Sequence, residues 1–169
     1  MAKSRNKGGN MSIPLRNILS RKGWGAVTVT ADASLLTVAD TLVLHHIGAA
    51  VVVDRDGRPI GLVSERDIVR GVSEHHDDVV DVKVGDVMAR NVPSLSPDDS
   101  SLKAVQLMTI HRHRHIPVLE DEALVGMVSI GDVVKYRIEE SESAVEAMRA
   151  YVMQSDPTEE PGLPRHALD

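Results

Sequence analysis

One short motif occurs twice in the chain, and this duplication constrains the fold more than any other feature of the sequence. The first copy covers residues 61–67 (GLVSERD) and the second covers residues 126–132 (GMVSIGD). Each copy reads as a glycine, two apolar residues, a serine, two variable residues and an aspartate, followed by the apolar start of a helix. Two copies of one unit predict two similar halves that share a core.

The motif places a hydroxyl and a carboxylate at the start of a helix. Ser64 and Ser129 follow short apolar strands and can cap the helices that come next. The amides and the dipole at a helix start favour anionic groups nearby. Asp67 and Asp132 lie in the first turn, where a carboxylate can accept two hydrogen bonds, as the vicinal hydroxyls of a ribose offer. For either copy alone, helix capping is the simpler interpretation, but the repetition favours ligand binding.

The elements around the motif are repeated as well. The first half predicts a helix, a strand, a helix, two strands and a helix, at residues 12–19, 26–29, 33–46, 49–53, 59–63 and 67–72. The second half predicts the same order at residues 84–88, 92–95, 98–108, 116–119, 124–128 and 132–153. Asp32 is the expected N-cap of the second helix, and residues 54–57 (DRDG) predict a hairpin turn.

The predicted fold class is α/β (α+β): two repeats packed with pseudo-two-fold symmetry, each a small three-stranded sheet with flanking helices. Such small sheets cannot bury both faces alone, so the repeats should pack together and leave paired clefts between them. The expected domains are a flexible tail (1–11), the first repeat (12–73), a linker (74–82), the second repeat (83–140), an extension of the last helix (141–155) and a disordered tail (156–169).

These residues together resemble tandem CBS domains, the Bateman module, of the stand-alone two-repeat type. The resemblance depends on residues 46–54 (HIGAAVVVD) with 57–67 (GRPIGLVSERD), and on residues 112–118 (RHRHIPV) with 124–132 (LVGMVSIGD). It covers about residues 13–140. Either motif alone is moderately specific, whereas two in register with matching upstream helices are strong support for this family.

The resemblance implies an adenosine nucleotide (AMP, ADP, ATP, NAD or NADH) in one or both clefts and no catalytic cofactor. It implies that each aspartate binds the ribose hydroxyls, that each serine lies near the ribose or phosphate, and that each motif faces the other repeat. The implied residues of the first cleft are Ser64, Arg66, Asp67, Asn91, Val92, Pro93, Arg114, His115, Ile116 and Pro117. Those of the second cleft are Lys22, Gly25, Ala26, Val27, Gly48, Ala49, Ala50, Ser129, Gly131 and Asp132.

The two clefts differ in charge. Arg66 and Arg114, with His113 or His115, give the first cleft a setting that suits phosphate oxygens. The second cleft has Gly131 in place of Arg66, and Lys22 is its nearby cation. We therefore expect the first cleft to prefer more highly phosphorylated ligands, and the second a monophosphate or the adenosine half of a dinucleotide.

The composition argues against several classes of function. A net charge of -6 and only 2% aromatic residues give no general attraction to nucleic acid and no platform for stacking bases. The chain has no cysteine, which excludes disulfides and thiolate sites. No apolar run reaches the length that crosses a membrane, so a cytoplasmic protein without a membrane partner is predicted.

Metal binding and catalysis are alternative functions to ligand binding, and the sequence favours neither. His111, His113 and His115 alternate, but they fall between the end of a helix and the start of a strand, where the side chains are not expected to converge on a metal. Ser64 and Ser129 lack the G-x-S-x-G context of a nucleophile, and the chain has neither a Walker A loop nor a G-x-G-x-x-G motif. No enzymatic activity is predicted.

The predicted function is regulatory. The chain is expected to sense energy or redox state through a bound adenosine nucleotide and to transmit it to an unidentified protein partner. A homodimer is expected through the apolar helices around residues 36–43 and 102–108. The alternative is a structural homodimerisation module with non-functional clefts. The acidic residues of the last helix suggest a partner contact, although a solvated face explains them more simply.

Overall fold

The computed structural model describes residues 12–154. The helices are α1 (Leu15–Lys22), α2 (Leu35–Leu44), α3 (Glu65–His75), α4 (Val84–Val87), α5 (Ser101–His111) and α6 (Ile130–Gln154), and a 3-10 helix covers His76–Asp81. The strands are β1 (Thr28–Thr30), β2 (Ala49–Val53), β3 (Pro59–Ser64), β4 (His115–Glu120) and β5 (Ala123–Ser129). The tails predicted at residues 1–11 and 156–169 lie outside the described residues.

The first sheet has the order β1-β2-β3. β1 runs parallel to β2, and β2 pairs antiparallel with β3 through a hairpin. All five residues of β2 (AAVVV) are buried, as expected of a continuous apolar run that is covered on both faces. In the turn, an Asp54 carboxylate oxygen accepts hydrogen bonds from the amides of Asp56 and Arg58, both at 2.9 Å, and Gly57 supplies the positive φ of 80°.

The second sheet is an antiparallel pair, β4 and β5. The strand predicted at residues 92–95 is reduced to an isolated parallel bridge between Leu95 and Val118. Pro93 has no amide to donate to a ladder, and Asn91 adopts a left-handed φ of 55°, so this segment cannot extend as a regular strand. The predicted fold class is confirmed, with two small sheets flanked by helices.

Two predicted helix starts were wrong, by two residues for α2 and by three for α5. α2 begins after Ser34, whose hydroxyl accepts a hydrogen bond from the Thr37 amide at 3.1 Å, and not after Asp32. α5 begins after Ser100, whose hydroxyl accepts from the Lys103 amide at 3.1 Å. In both cases a serine hydroxyl caps the helix, and the aspartate that was expected there lies in the preceding turn.

The two halves cross at their motifs, as the resemblance implies. The amide of Gly25 donates to the carbonyl of Val125 at 2.8 Å, and Leu62 and Ala89 exchange backbone hydrogen bonds of 3.0 and 2.8 Å. The start of each half therefore pairs with the motif of the other half. A Cβ on Gly126 would lie 2.8 Å from a methyl of the buried Leu19, so any larger residue would force the Leu19 side chain to shift.

The core is aliphatic and is shared between the halves. One cluster joins the first sheet and α2 to residues of α4, and it consists of Val38, Leu42, Ala50, Val52, Val63, Val84 and Met88. A second cluster packs Met127 of β5 against β2 and β3, next to Ala49, Val51, Val53 and Leu62. Both clusters combine residues of the two halves, and this shared packing fixes the positions of the clefts.

α6 is one continuous helix, so the expected boundary between residues 140 and 141 falls inside it. The larger compact unit of the chain ends at Val133, and the rest of α6 belongs to a second unit that is described by itself. Within the described residues, no helix has the length and apolar character needed to cross a bilayer.

Candidate functional site

Asp67 is buried and fixed by three hydrogen bonds. Its Oδ2 accepts from the Ser64 amide at 2.9 Å and from the Ser64 hydroxyl at 2.6 Å, within the capping box that starts α3. Its Oδ1 accepts from Arg70 Nη2 at 2.8 Å. Arg70 also donates to the carbonyl of Val87 at 2.7 Å, which ties the motif of the first half to α4 of the second half.

Asp67 lies in the wall of a cavity of about 340 Å³ between the two halves. We call it the Asp67 cavity. β3, the start of α3 and the connection from α5 to β4 form its walls. Its lining residues are Gly48, Leu62, Ser64, Glu65, Arg66, Asp67, Arg70, Ala89, His111, Arg112, His113, Arg114 and His115.

The Asp67 cavity is strongly cationic in a chain whose net charge is -6. Its lining includes four arginines and three histidines but only two acids, Glu65 and Asp67. The side chains of Arg66, Arg112 and Arg114 make no hydrogen bond or ion pair with any residue that the structure describes. Their donors are therefore available to an anion, and guanidinium groups suit phosphate oxygens in particular.

The backbone at the end of α5 explains why three histidines reach the same cavity. Arg112 caps the helix in the left-handed conformation, with φ 56° and ψ 28°, and so turns the chain into β4. His111, His113 and His115 then all line the Asp67 cavity, which their alternation in sequence did not predict. Among the described residues, no group of three or more histidines and acids could hold a metal ion.

His115 is half-buried between the two motifs. A Cβ on Gly48 would lie 3.4 Å from its ring, and its backbone pairs with Ser129. Burial lowers the pKa of His115 below its usual value, against the raising effect of Asp132, while Lys22 lowers the pKa further. The imidazole is therefore neutral at pH 7 when no anion is bound.

The residues predicted for the first cleft divide between two cavities. Asn91, Val92 and Pro117 line a neighbouring cavity of about 230 Å³ with part of β3. Leu62 and Ala89, whose backbones pair, line the Asp67 cavity. Their chain neighbours Gly61 and Asn91 line the second cavity. The Leu62–Ala89 backbone pair therefore separates the two cavities. Two other predicted residues, Pro93 and Ile116, do not line either cavity, and Ile116 is fully buried.

The second motif has the same capping geometry but a different cation. The Ser129 amide donates to Asp132 Oδ2 at 2.7 Å, and the Asp132 amide donates to the Ser129 hydroxyl at 3.1 Å. Lys22 reaches this carboxylate from the other half, with Nζ 2.7 Å from Asp132 Oδ2 and 2.9 Å from the Met127 carbonyl. Burial alone would raise the pKa of Asp132, but the Lys22 and Ser129 hydrogen bonds lower it below its usual value.

The other residues predicted for the second cleft are spread out. Gly25 and Ala26 line an open cavity of about 600 Å³ between the two hairpin turns. Gly48 lines the Asp67 cavity instead, and Ala49 and Ala50 are fully buried in β2. The structure thus brings Lys22, Ser129 and Asp132 together, but it does not gather the whole predicted set.

Sequence reasoning missed two cations of the Asp67 cavity, Arg70 and Arg112. Arg70 follows Asp67 by three residues, and this helical spacing could have identified it. Arg112 depends on a left-handed cap that nothing in the local pattern indicates.

The comparisons with known proteins identify the family and the fold. The CBS-domain family model matches residues 15–74 and 84–139. A mitochondrial CBS domain-containing protein of Arabidopsis thaliana is 32% identical over 149 residues, which are 83% of this chain and 72% of that protein. The chain is also 38% identical over 110 residues to a 33.4 kDa protein of Thermofilum pendens, covering 64% of this chain but only 35% of that protein.

Solved structures of CBS-domain proteins have the same fold. One from Agrobacterium tumefaciens is 39% identical with a TM-score of 0.71, covering 74% of this chain and 99% of that chain. Another, from Pyrobaculum aerophilum and in complex with AMP, is 31% identical with a TM-score of 0.63, covering 71% of this chain and 89% of that chain.

Proposed function

Because the chain belongs to the CBS-domain family, we propose that it is a regulatory module that binds an adenosine nucleotide. The observation that carries the proposal is Asp67, held in a cavity between the halves beside arginines whose donors are unused by the described residues. The related Pyrobaculum protein, described in complex with AMP, supports the adenosine part of the ligand.

The ribose and the phosphates would share the Asp67 cavity. Asp67 Oδ1 accepts from Arg70 alone among the described residues, so it has a lone pair for a ribose hydroxyl. Arg66, Arg112 and Arg114 would bind the phosphate oxygens, and the apolar wall of Leu62 and Ala89 would lie against the base. Because each additional phosphate meets another cation, we expect ATP to bind more tightly than ADP, and ADP more tightly than AMP.

The second motif would bind a ligand more weakly. Lys22 spans from α1 to Asp132 and donates to its Oδ2, so it would compete with a ribose hydroxyl for this carboxylate. We therefore expect one nucleotide per chain at low concentration. A monophosphate or the adenosine half of a dinucleotide remains the proposed ligand of the second site.

The regulatory output would be communicated through protein contacts. Apolar residues of α2 and α5 are exposed, among them Val43 at 74% and Ile110 at 72%, and we propose that they form a homodimer contact. A nucleotide that binds one arrangement of the halves better would shift the population toward it, and so would report energy or redox state to a protein partner. No turnover of the nucleotide is expected.

The cellular location stays a prediction. The sequence favours the cytoplasm, whereas the Arabidopsis relative is described as mitochondrial.

A structural homodimerisation module is the second candidate, and one observation favours it. Both oxygens of Asp67 already have internal partners, and Asp132 is paired with Lys22. If these pairs are permanent, the motifs serve only to cap helices and join the halves.

Thermal unfolding with added ligand separates the two candidates. A nucleotide at a hundredfold excess over its dissociation constant should stabilise the folded chain by about 2.7 kcal/mol. Asp67→Ala should lose this shift, while the matched control Asp40→Ala, at an exposed site on α2, should keep it. If AMP, ADP, ATP, NAD and NADH all leave the melting temperature of the wild type unchanged, the structural module is the better account.

A further inference from the structure

The last helix carries an apolar stripe whose described side chains face solvent. Five apolar residues of α6 recur at alternating intervals of four and three, with Ser141 as the one polar member: Val134, Ile138, Val145, Met148 and Val152. The side chains that the structure describes are 51%, 53%, 48% and 66% exposed, at Val134, Ile138, Val145 and Met148. A mean spacing of 3.5 residues is typical of a helix that packs along another helix in a coiled coil.

The side of α6 opposite the stripe carries one buried aromatic residue and several acidic residues. Tyr136 lies opposite the stripe and is buried, at 7% exposed. Three acidic residues, Glu139, Glu140 and Glu146, lie off the stripe on the polar side. A surface helix ordinarily buries its single apolar face. An exposed heptad stripe of this length therefore indicates a contact surface on α6.

We propose that this stripe binds a second copy of the chain as a parallel two-stranded coiled coil. The heptad places the stripe at the a and d positions, Arg137 at g and Glu142 at the next e. In a parallel pair, each Arg137 faces Glu142 of the other copy, and the pairing occurs twice by symmetry. The proposal concerns α6 alone and does not depend on the nucleotide site.

The charges on the flanks also argue against the antiparallel pair. In that arrangement e positions face e positions, so Glu142 would face Glu142, and Lys135 would face Arg149. These contacts repel, whereas in the parallel pair Lys135 and Arg149 face Ile130 and Ala144, which carry no charge. Ser141 at one d position adds a polar core residue, which favours a single register at some cost in stability.

The absence of cysteine from the chain makes the contact directly testable by single cysteines. In the parallel register, residue 141 faces its own counterpart, so Ser141→Cys in the full-length chain should form a disulfide-linked dimer under mild oxidation. Ser143→Cys is the matched control because Ser143 is an exposed serine on the polar side of the same helix. The proposal is overturned if Ser141→Cys stays monomeric on a non-reducing gel, or if both variants cross-link equally.

A charge exchange tests the orientation without a covalent bond. Glu142→Arg should weaken self-association by about fivefold in sedimentation equilibrium, as expected for two exposed ion pairs, and adding Arg137→Glu should restore it. The proposal is contradicted if neither substitution changes the self-association constant. That result is expected if the dimer forms only through α2 and α5, or if the stripe binds a different protein.

Discussion

Two aspartates with the same local geometry differ in the cation that holds them. Arg70 approaches Asp67 from the same helix, three residues away, and both residues line the Asp67 cavity. Lys22 approaches Asp132 from the other half of the chain, and its ammonium group competes with any ligand for Oδ2. At the residue scale, this difference alone makes the two motifs unequal in their expected affinity for a ribose.

Removing the Lys22 charge should open the second site. In Lys22→Met the apolar stem is kept and Asp132 Oδ2 loses one donor, so adenosine, which has no phosphate, should bind beside Asp132 about tenfold more tightly. Isothermal titration in the Asp67→Ala background isolates this site. Lys83→Met, at an exposed position before α4, is the control. Unchanged or weaker binding of adenosine to Lys22→Met would show that the lysine does not block the site.

His115 should make nucleotide binding depend on pH. Burial lowers its pKa in the free protein, so the ring is neutral at pH 7, and a phosphate in the Asp67 cavity would favour the charged form. Binding then takes up a proton, and the affinity for ATP should rise by about threefold as the pH falls from about 8 to about 6. His115→Gln should reduce this slope. Equal slopes for the variant and the wild type, measured by titration at several pH values, would contradict this role.

At the scale of elements, the motif glycines decide how closely the halves approach. A Cβ on Gly61 would lie 2.8 Å from the carbonyl oxygen of Ala89, and that oxygen belongs to the backbone. A Cβ on Gly131 would meet only the Ser129 hydroxyl at 3.6 Å. Gly61 is therefore required by the crossing of the halves, whereas the glycine near the second aspartate is not.

Replacement by alanine should consequently change the stability of the fold differently at these two positions. Gly61→Ala should destabilise the fold by about 1–3 kcal/mol, because Ala89 or β3 must shift. Gly131→Ala in the first turn of α6 should be neutral or stabilise by up to about 1 kcal/mol, since alanine favours the helix. Urea unfolding measures both. Equal losses of stability would mean that the close approach at Gly61 does not determine the packing.

Local pattern predicted the elements better than their connections. The duplicated motif identified both capping serines and both aspartates, because strand-to-helix chemistry is local. The motif alone could not identify Lys22, which lies 110 positions from Asp132, and only the family resemblance placed the two residues in one cleft. The missing third strand of the second sheet could have been foreseen from Pro93, but the left-handed cap at Arg112 could not.

At the scale of the whole molecule, the shared core of the larger unit fixes what the clefts can do. Residues of α4 complete the core of the first half, and Met127 completes the contact between the sheets. Any change in how the halves meet therefore alters the walls of the Asp67 cavity, which come from both halves. A ligand held by both walls can thus bias the arrangement of the halves through its differential affinity.

The most direct test of the account is the stoichiometry and affinity of ATP binding in three proteins, measured by isothermal titration. The wild type should bind one ATP tightly, Asp132→Ala should keep that site, and Asp67→Ala should weaken it by at least about tenfold through loss of a charge-assisted hydrogen bond. Tight binding that survives in Asp67→Ala and disappears in Asp132→Ala, or binding that is equal in all three, would contradict the assignment of the Asp67 cavity as the principal nucleotide site.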